Sequence, residues 1–128
     1  MKMRLELVPV PVSDVDRAKQ FYTEQLGFHT DLDHVVSDEM RVVQLTPPGS
    51  SCSITIGKGI IMSAPGSVQG LHLVVDDIHE ARAELAARGL DIGEVVAMSA
   101  PGKPTVSYAG FTDPDGNSWT LQQLPVQD

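Results

Sequence analysis

The spacing of apolar positions changes twice along the chain, and in the same order each time. LELVPVPV, residues 5–12, reads as an extended stretch, after which Val15, Ala18, Tyr22 and Leu26 recur at the three-and-four spacing of a helix that buries one face, with Phe21 beside them. Short extended stretches follow at 28–32, 41–45 and 53–57, the last two separated by the turn residues Pro47-Pro48-Gly49-Ser50. The second half begins again with GLHLVV at 70–75. Ile78, Ala81 and Leu85 then mark a helix face, and extended stretches return at 92–98, 105–112 and 118–123. Acidic or hydroxyl residues precede both helices (Ser13/Asp14 and Asp76/Asp77). Their side-chain oxygens can accept from free backbone N–H groups, and their charge suits the helix dipole. Gly27 and Gly89 are placed to end the helices in the left-handed conformation.

The two helix starts are copies of each other. Val12-Ser13-Asp14-Val15-Asp16-Arg17-Ala18-Lys19 aligns with Val75-Asp76-Asp77-Ile78-His79-Glu80-Ala81-Arg82 at an offset of 63 positions. The pattern is therefore β-α-β-β-β written twice: module one over about 4–60, a Pro- and Gly-containing linker over about 61–68, and module two over about 69–124. Neither half can bury both its sheet and its helix well, so an α+β fold is expected, one domain in which the two sheets enclose a shared cavity with helices on the outer faces.

The last hairpin, FTDPDGNSWTLQQ at 111–123, carries a turn signal. Pro114 presets φ, Asp115 tolerates the next position, and Gly116 supplies the positive φ that closes the turn. Parity then divides the side chains. Trp119 and Leu121 share the apolar, helix-facing side with Phe111, which leaves Thr120 and Gln122 on the other face with Tyr108.

Composition and charge narrow the partners. The chain has 128 residues, 41% of them hydrophobic, enough for one core of ordinary size. Seventeen acidic against nine basic side chains give a net charge of -8, which repels phosphate backbones and anionic membranes, so neither nucleic acid nor a membrane is an expected partner. No apolar run reaches the roughly 20 residues that cross a bilayer. The start, MKMRLELVPVPV, lacks the pattern of a secretion signal, and the single cysteine, Cys52, has no partner within the chain, so a cytoplasmic location is expected.

The doubled βαβββ pattern, with VSDVDRAKQFYTEQLGF, LHLVVDDIHEARAELAARG and FTDPDGNSWTLQ, resembles the vicinal oxygen chelate superfamily, which includes glyoxalase I, extradiol dioxygenases and the fosfomycin- and bleomycin-resistance proteins. In metal-dependent members, ligands come from the first and last strands of each half. Carried over, those places fall on Leu7, Thr55, Gly70 and Thr120, and none of the four is a His, Glu, Asp or Cys. A divalent cation needs converging oxygen or imidazole donors, so no metal and no other cofactor is expected.

His72 is the candidate centre of a metal-free site, because parity puts it on the cavity face two positions after Gly70, whose missing side chain leaves room for a ligand. Thr55, Tyr108, Thr120 and Gln122 complete the expected ligand-binding set. A titratable imidazole there suits either ligand recognition or acid/base work, and His72 is the one candidate catalytic residue. Arg41 and Gln44 lie on opposite faces of one strand, so one of them looks into the cavity. His29, His34, Asp31/Asp33 and Asp38/Glu39 read as solvated loop residues, and His79 as a solvated helix residue.

Three functions fit these residues. The protein sequesters a small organic ligand as bleomycin-resistance proteins do, or catalyses a metal-free isomerase- or lyase-type step, or is a glyoxalase-like lyase or dioxygenase whose metal ligands are displaced. As in many members of the superfamily, a homodimer is expected.

Overall fold

The computed structural model describes residues 1–125 and has two short helices and eight strands. Its first sheet is built from β1 (Leu7–Pro9), β2 (His29–Ser37), β3 (Met40–Thr46) and β4 (Ser53–Lys58), in the order β1-β4-β3-β2. The second contains β5 (Leu71–Val74), β6 (Val96–Met98), β7 (Val106–Thr112) and β8 (Ser118–Gln123), in the order β5-β8-β7-β6. In each sheet the first strand runs parallel to the last and the remaining neighbours are antiparallel. The fold is thus α+β with two βαβββ modules. By compactness the described residues form two units, 1–68 with 113–117, and 69–112 with those from 118 onward; the turn of the last hairpin counts with the first unit.

The repeat extends to the backbone angles of the helix starts. Asp14 precedes α1 (Val15–Gln20) with φ -132 and ψ 106 and accepts from the Arg17 N–H; Asp77 precedes α2 (Ile78–Ala87) with φ -131 and ψ 106 and accepts from the Glu80 N–H. Each carboxylate satisfies one of the orphan donors of a first helical turn. In the first unit α1 widens into a π-helical turn over Phe21–Gln25 before Gly27 ends it at φ 74. Its apolar stripe, Ala18, Tyr22 and Leu26, is buried with Val43, Leu45, Ile54 and Ile56 of the sheet. In the second unit Ile78, Leu90, Ile92, Ala109, Phe111, Trp119 and Leu121 form the core, and the rings of Phe111 and Trp119 stack at 6.3 Å. Burial of each large side chain contributes about 1.5–3 kcal/mol relative to exposure.

Strand limits differ from the sequence expectation in two places. β2 begins within the extended stretch expected at 28–32 but runs on to Ser37, so Asp33 and His34, with His29 and Asp31 before them, are strand residues and not loop residues. Their polarity hid the strand: Asp33 lies opposite Val43 on the helix-facing side, where it meets Lys19 at 2.8 Å and Arg41 at 2.8 Å instead of an apolar partner. The stretch at 92–98 is strand only over Val96–Met98; Ile92 is buried outside it, and Gly93 bonds the Gly110 carbonyl at 2.9 Å. Arg41 is also assigned by register. It shares the parity of buried Val43 and Leu45 and reaches Asp16 in the first turn of α1, so Gln44 is the one on the opposite face, bonded to Ser53 at 3.4 Å.

Candidate functional site

In the second unit one face of the sheet packs on α2 and the other is open. Pairing places His72 opposite Thr120, Val74 opposite Gln122, Gln122 opposite Tyr108, and Tyr108 opposite Val96. All six side chains share the face away from the buried Trp119 and Leu121, because side chains alternate along a strand. Tyr108 shares this face with Thr120, as parity requires, but Thr120's direct neighbour across β7 is Gly110. The imidazole of His72 meets the Tyr108 ring edge-on at 6.2 Å with an interplanar angle of 86°. Val74, Val96 and Met98 are more than half exposed on the same face. An exposed apolar patch around polar groups is what a binding face presents before it is covered.

The hydrogen bonding of this face is incomplete. His72 Nδ1 lies 2.7 Å from the Gly70 carbonyl, and a carbonyl can only accept, so Nδ1 carries the proton. Among the described residues no hydrogen-bond partner meets His72 Nε2, the Tyr108 hydroxyl, the Thr120 hydroxyl or the Gln122 side-chain amide. The next residue along, Gln123, faces the helix side and accepts from the Ile78 N–H at 2.8 Å. Alternation therefore puts one glutamine of the pair to structural use and leaves the other open.

Gly70 takes a backbone angle that favours glycine. A Cβ at this position meets no protein atom within 4 Å, so within the chain it is the φ of 77 that favours glycine. That conformation lies alongside the carbonyl contact to His72, while the Gly70 N–H is held by the Ser118 carbonyl at 3.1 Å and the Ser118 hydroxyl at 2.7 Å.

Thr55, the sixth residue of the expected set, lies in the first unit, and the other five lie in the second. Its hydroxyl donates to the Val43 carbonyl at 3.2 Å. The polar side chains on that face of the first sheet satisfy one another: Thr46 bonds Asp31 and Ser53, and Gln44 bonds Ser53. A pocket of about 720 Å³ also opens in the first unit beside the loop before α1, with Arg41, Lys58 and Asp38 in its walls. Its cations are already engaged. Arg41 is held by Asp16 and Asp33, and Lys58 donates to the Asp38 carbonyl at 2.7 Å. The Arg41 guanidinium, and after it the Lys19 ammonium, hold the Asp33 carboxyl well below the usual carboxylate range. Free hydrogen-bonding capacity, and not cavity volume, therefore points to the second sheet.

The family model of the Glyoxalase/Bleomycin resistance protein/Dioxygenase superfamily matches residues 4–121. The chain belongs to this superfamily. Among solved structures it is similar to TnmS3, an antibiotic binding protein from Streptomyces sp. CB03234, with 34% identity, 98% of each chain covered and a TM-score of 0.78. A glyoxalase/bleomycin resistance protein from the same organism is 33% identical, with 94% of this chain and 100% of that one covered and a TM-score of 0.73. The uncharacterized protein YetH of Bacillus subtilis (strain 168) is 28% identical over 127 residues, which is 96% of this chain and 100% of that protein.

Metal-dependent chemistry in such a fold requires donors, and the residues here do not fit a divalent cation. Among the described residues no group of three or more His, Cys, Asp or Glu side chains is placed to hold a metal ion. His72 has threonine, tyrosine and glutamine around it on its face, all neutral oxygen or amide groups. Among the described residues, no helix is long and apolar enough to cross a membrane.

Proposed function

We propose that the protein binds a small, largely flat organic molecule on the open face of the second sheet and sequesters it without a metal, as a cytoplasmic homodimer. One observation carries the reading: four side chains with unspent hydrogen-bonding capacity, His72, Tyr108, Thr120 and Gln122, lie among exposed Val74, Val96 and Met98. Apolar area provides the affinity of a small-molecule site and a few placed polar groups provide its orientation. The antibiotic-binding activity of TnmS3 supports the ligand class. An open sheet face covers only one side of a ligand, and the exposed apolar side chains on it favour a second copy of the chain as the other side.

A second reading rests on His72 Nε2, which carries a lone pair when Nδ1 carries the proton. Placed against a bound carbonyl compound, that nitrogen could take up a proton in an isomerase- or lyase-type step, with Tyr108 or Gln122 orienting the carbonyl. Saturation-transfer NMR with a panel of aromatic antibiotics separates the readings. Wild-type protein is expected to bind at least one compound unchanged, and His72→Ala and Tyr108→Ala are expected to weaken that binding while leaving the melting temperature in place. Conversion of the compound by wild type and not by His72→Ala would move the enzyme reading ahead. Binding that neither substitution affects would remove this face as the site.

A further inference from the structure

We infer that Ser118 and the Gly70 peptide lock His72 as a hydrogen-bond acceptor, so that the ligand of this face is a molecule that presents a hydroxyl or N–H donor beside a flat apolar ring; this rests on the binding face proposed above. The chain of contacts is short. Ser118 opens β8 and holds the Gly70 N–H through both its carbonyl (3.1 Å) and its hydroxyl (2.7 Å), while that hydroxyl donates to Gln69 Oε1 at 3.1 Å. The peptide group before Gly70 is thus anchored by its N–H. Gly70's φ of 77 accompanies a carbonyl oriented toward the ring two residues on, which accepts from the Nδ1–H at 2.7 Å.

The consequence is chemical. An imidazole free to choose its tautomer can donate or accept through Nε2, and so accommodates ligands of either kind. A neutral ring whose Nδ1–H is committed to a carbonyl keeps a lone pair on Nε2 and rejects a ligand carbonyl or ether oxygen placed against it, because two acceptors then face each other. Tyr108, edge-on at 6.2 Å, and exposed Val74, Val96 and Met98 supply apolar surface on the same face. A phenol, enol or heteroaromatic N–H compound satisfies both features; the corresponding methyl ether satisfies only the apolar one. Ser118 is a positioning residue here, acting through Gly70 and touching no ligand.

Three measurements on the full chain test this. In the ligand-free protein, long-range ¹⁵N–¹H correlation is expected to show neutral His72 as the Nδ1–H tautomer. A dominant Nε2–H tautomer overturns the inference whatever binds. Ser118→Ala is expected to shift His72 toward a tautomer mixture and Ser118→Thr to restore it, with amide spectra confirming that both variants fold; an unchanged tautomer in Ser118→Ala overturns the positioning role. Finally, 2-naphthol is expected to shift the His72 Nε2 resonance and to bind at least about fivefold more tightly than 2-methoxynaphthalene, the difference one net hydrogen bond makes. Equal binding of the two overturns the donor requirement and leaves the binding face standing. Binding of neither, with the tautomer as expected, overturns the aromatic ligand class and counts against the face itself.

Discussion

Tyr22 donates its hydroxyl to Asp113 Oδ2 at 2.7 Å, a buried contact between residues 91 positions apart. Asp113 opens the turn of the last hairpin and accepts three further bonds, from the Asp115 and Asn117 backbone N–H groups and from the Asn117 side chain. Asn117, fully buried, also donates to the Pro11 carbonyl at 2.8 Å and accepts from the Val68 N–H at 3.0 Å. The DPDGN stretch is therefore more than a tight turn: its carboxylate is the centre of a buried network, made affordable by four donors.

Tyr22→Phe removes one of those donors and leaves the ring. The expected loss is about 1–3 kcal/mol, read by urea denaturation, with no change in ligand affinity. Asp113→Ala strands the Tyr22 hydroxyl and the Asn117 amide together and is expected to destabilise more. Equal stability of Tyr22→Phe and wild type would show that the network tolerates the gap.

His72 and Trp119 are expected to respond in opposite ways. His72 is exposed, so His72→Ala leaves the denaturation midpoint nearly unchanged while ligand affinity falls by about 0.5–1.5 kcal/mol, one net hydrogen bond. Trp119 is 3% exposed on the other side of the same sheet, and Trp119→Ala is expected to lower stability by about 3–5 kcal/mol. Calorimetry and isothermal titration on both variants check the pair.

Two glycines near the face differ in what they tolerate. Gly70 has φ 77, so Gly70→Ala is expected to destabilise by about 1–2 kcal/mol although its Cβ meets open space. At Gly110, where no positive φ occurs and the nearest atom to an added Cβ is the Trp119 carbonyl at 3.8 Å, Ala is expected to cost little. A Gly70→Ala variant as stable as Gly110→Ala would contradict the role given to that backbone angle.

Acid stability carries the signature of Asp33. Its folded carboxyl titrates below the unfolded value of about 3.9 because Arg41 and then Lys19 bond it, so the ion pairs stabilise fully above that pH. Their contribution is lost as pH falls from about 4 toward the lowered folded value. Asp33→Asn is expected to flatten the stability curve in that window and to reduce stability at pH 7; a variant with an unchanged acid limb would show that the pairs are too exposed to matter.

Elemental analysis after dialysis is expected to find no stoichiometric zinc, nickel, manganese or iron, and chelator is expected to leave ligand binding unchanged. One metal per chain would reverse the metal-free reading, since the donors around His72 are neutral.

By itself the sequence determined what local periodicity and pairing parity can carry. The 63-residue repeat, the carboxylate caps Asp14 and Asp77, the helix-ending glycines and the division of Trp119 and Leu121 from Thr120 and Gln122 all follow from spacing, because helices repeat every 3.6 residues and strands every two. The second part of β2, beyond residue 32, escaped that reading because its helix-facing Asp33 is satisfied by charges from α1 and β3, and such pairing is invisible until the elements are brought together. The same limit applied to function. Parity put His72 and Tyr108 on one face, but only the folded chain decided that Thr55 gives its hydroxyl to Val43, that Arg41 turns toward α1, and that Gly70 takes a positive φ. Hydrogen bonds are short-range and directional, so which polar groups remain free is decided by tertiary geometry, and those free groups mark the candidate site.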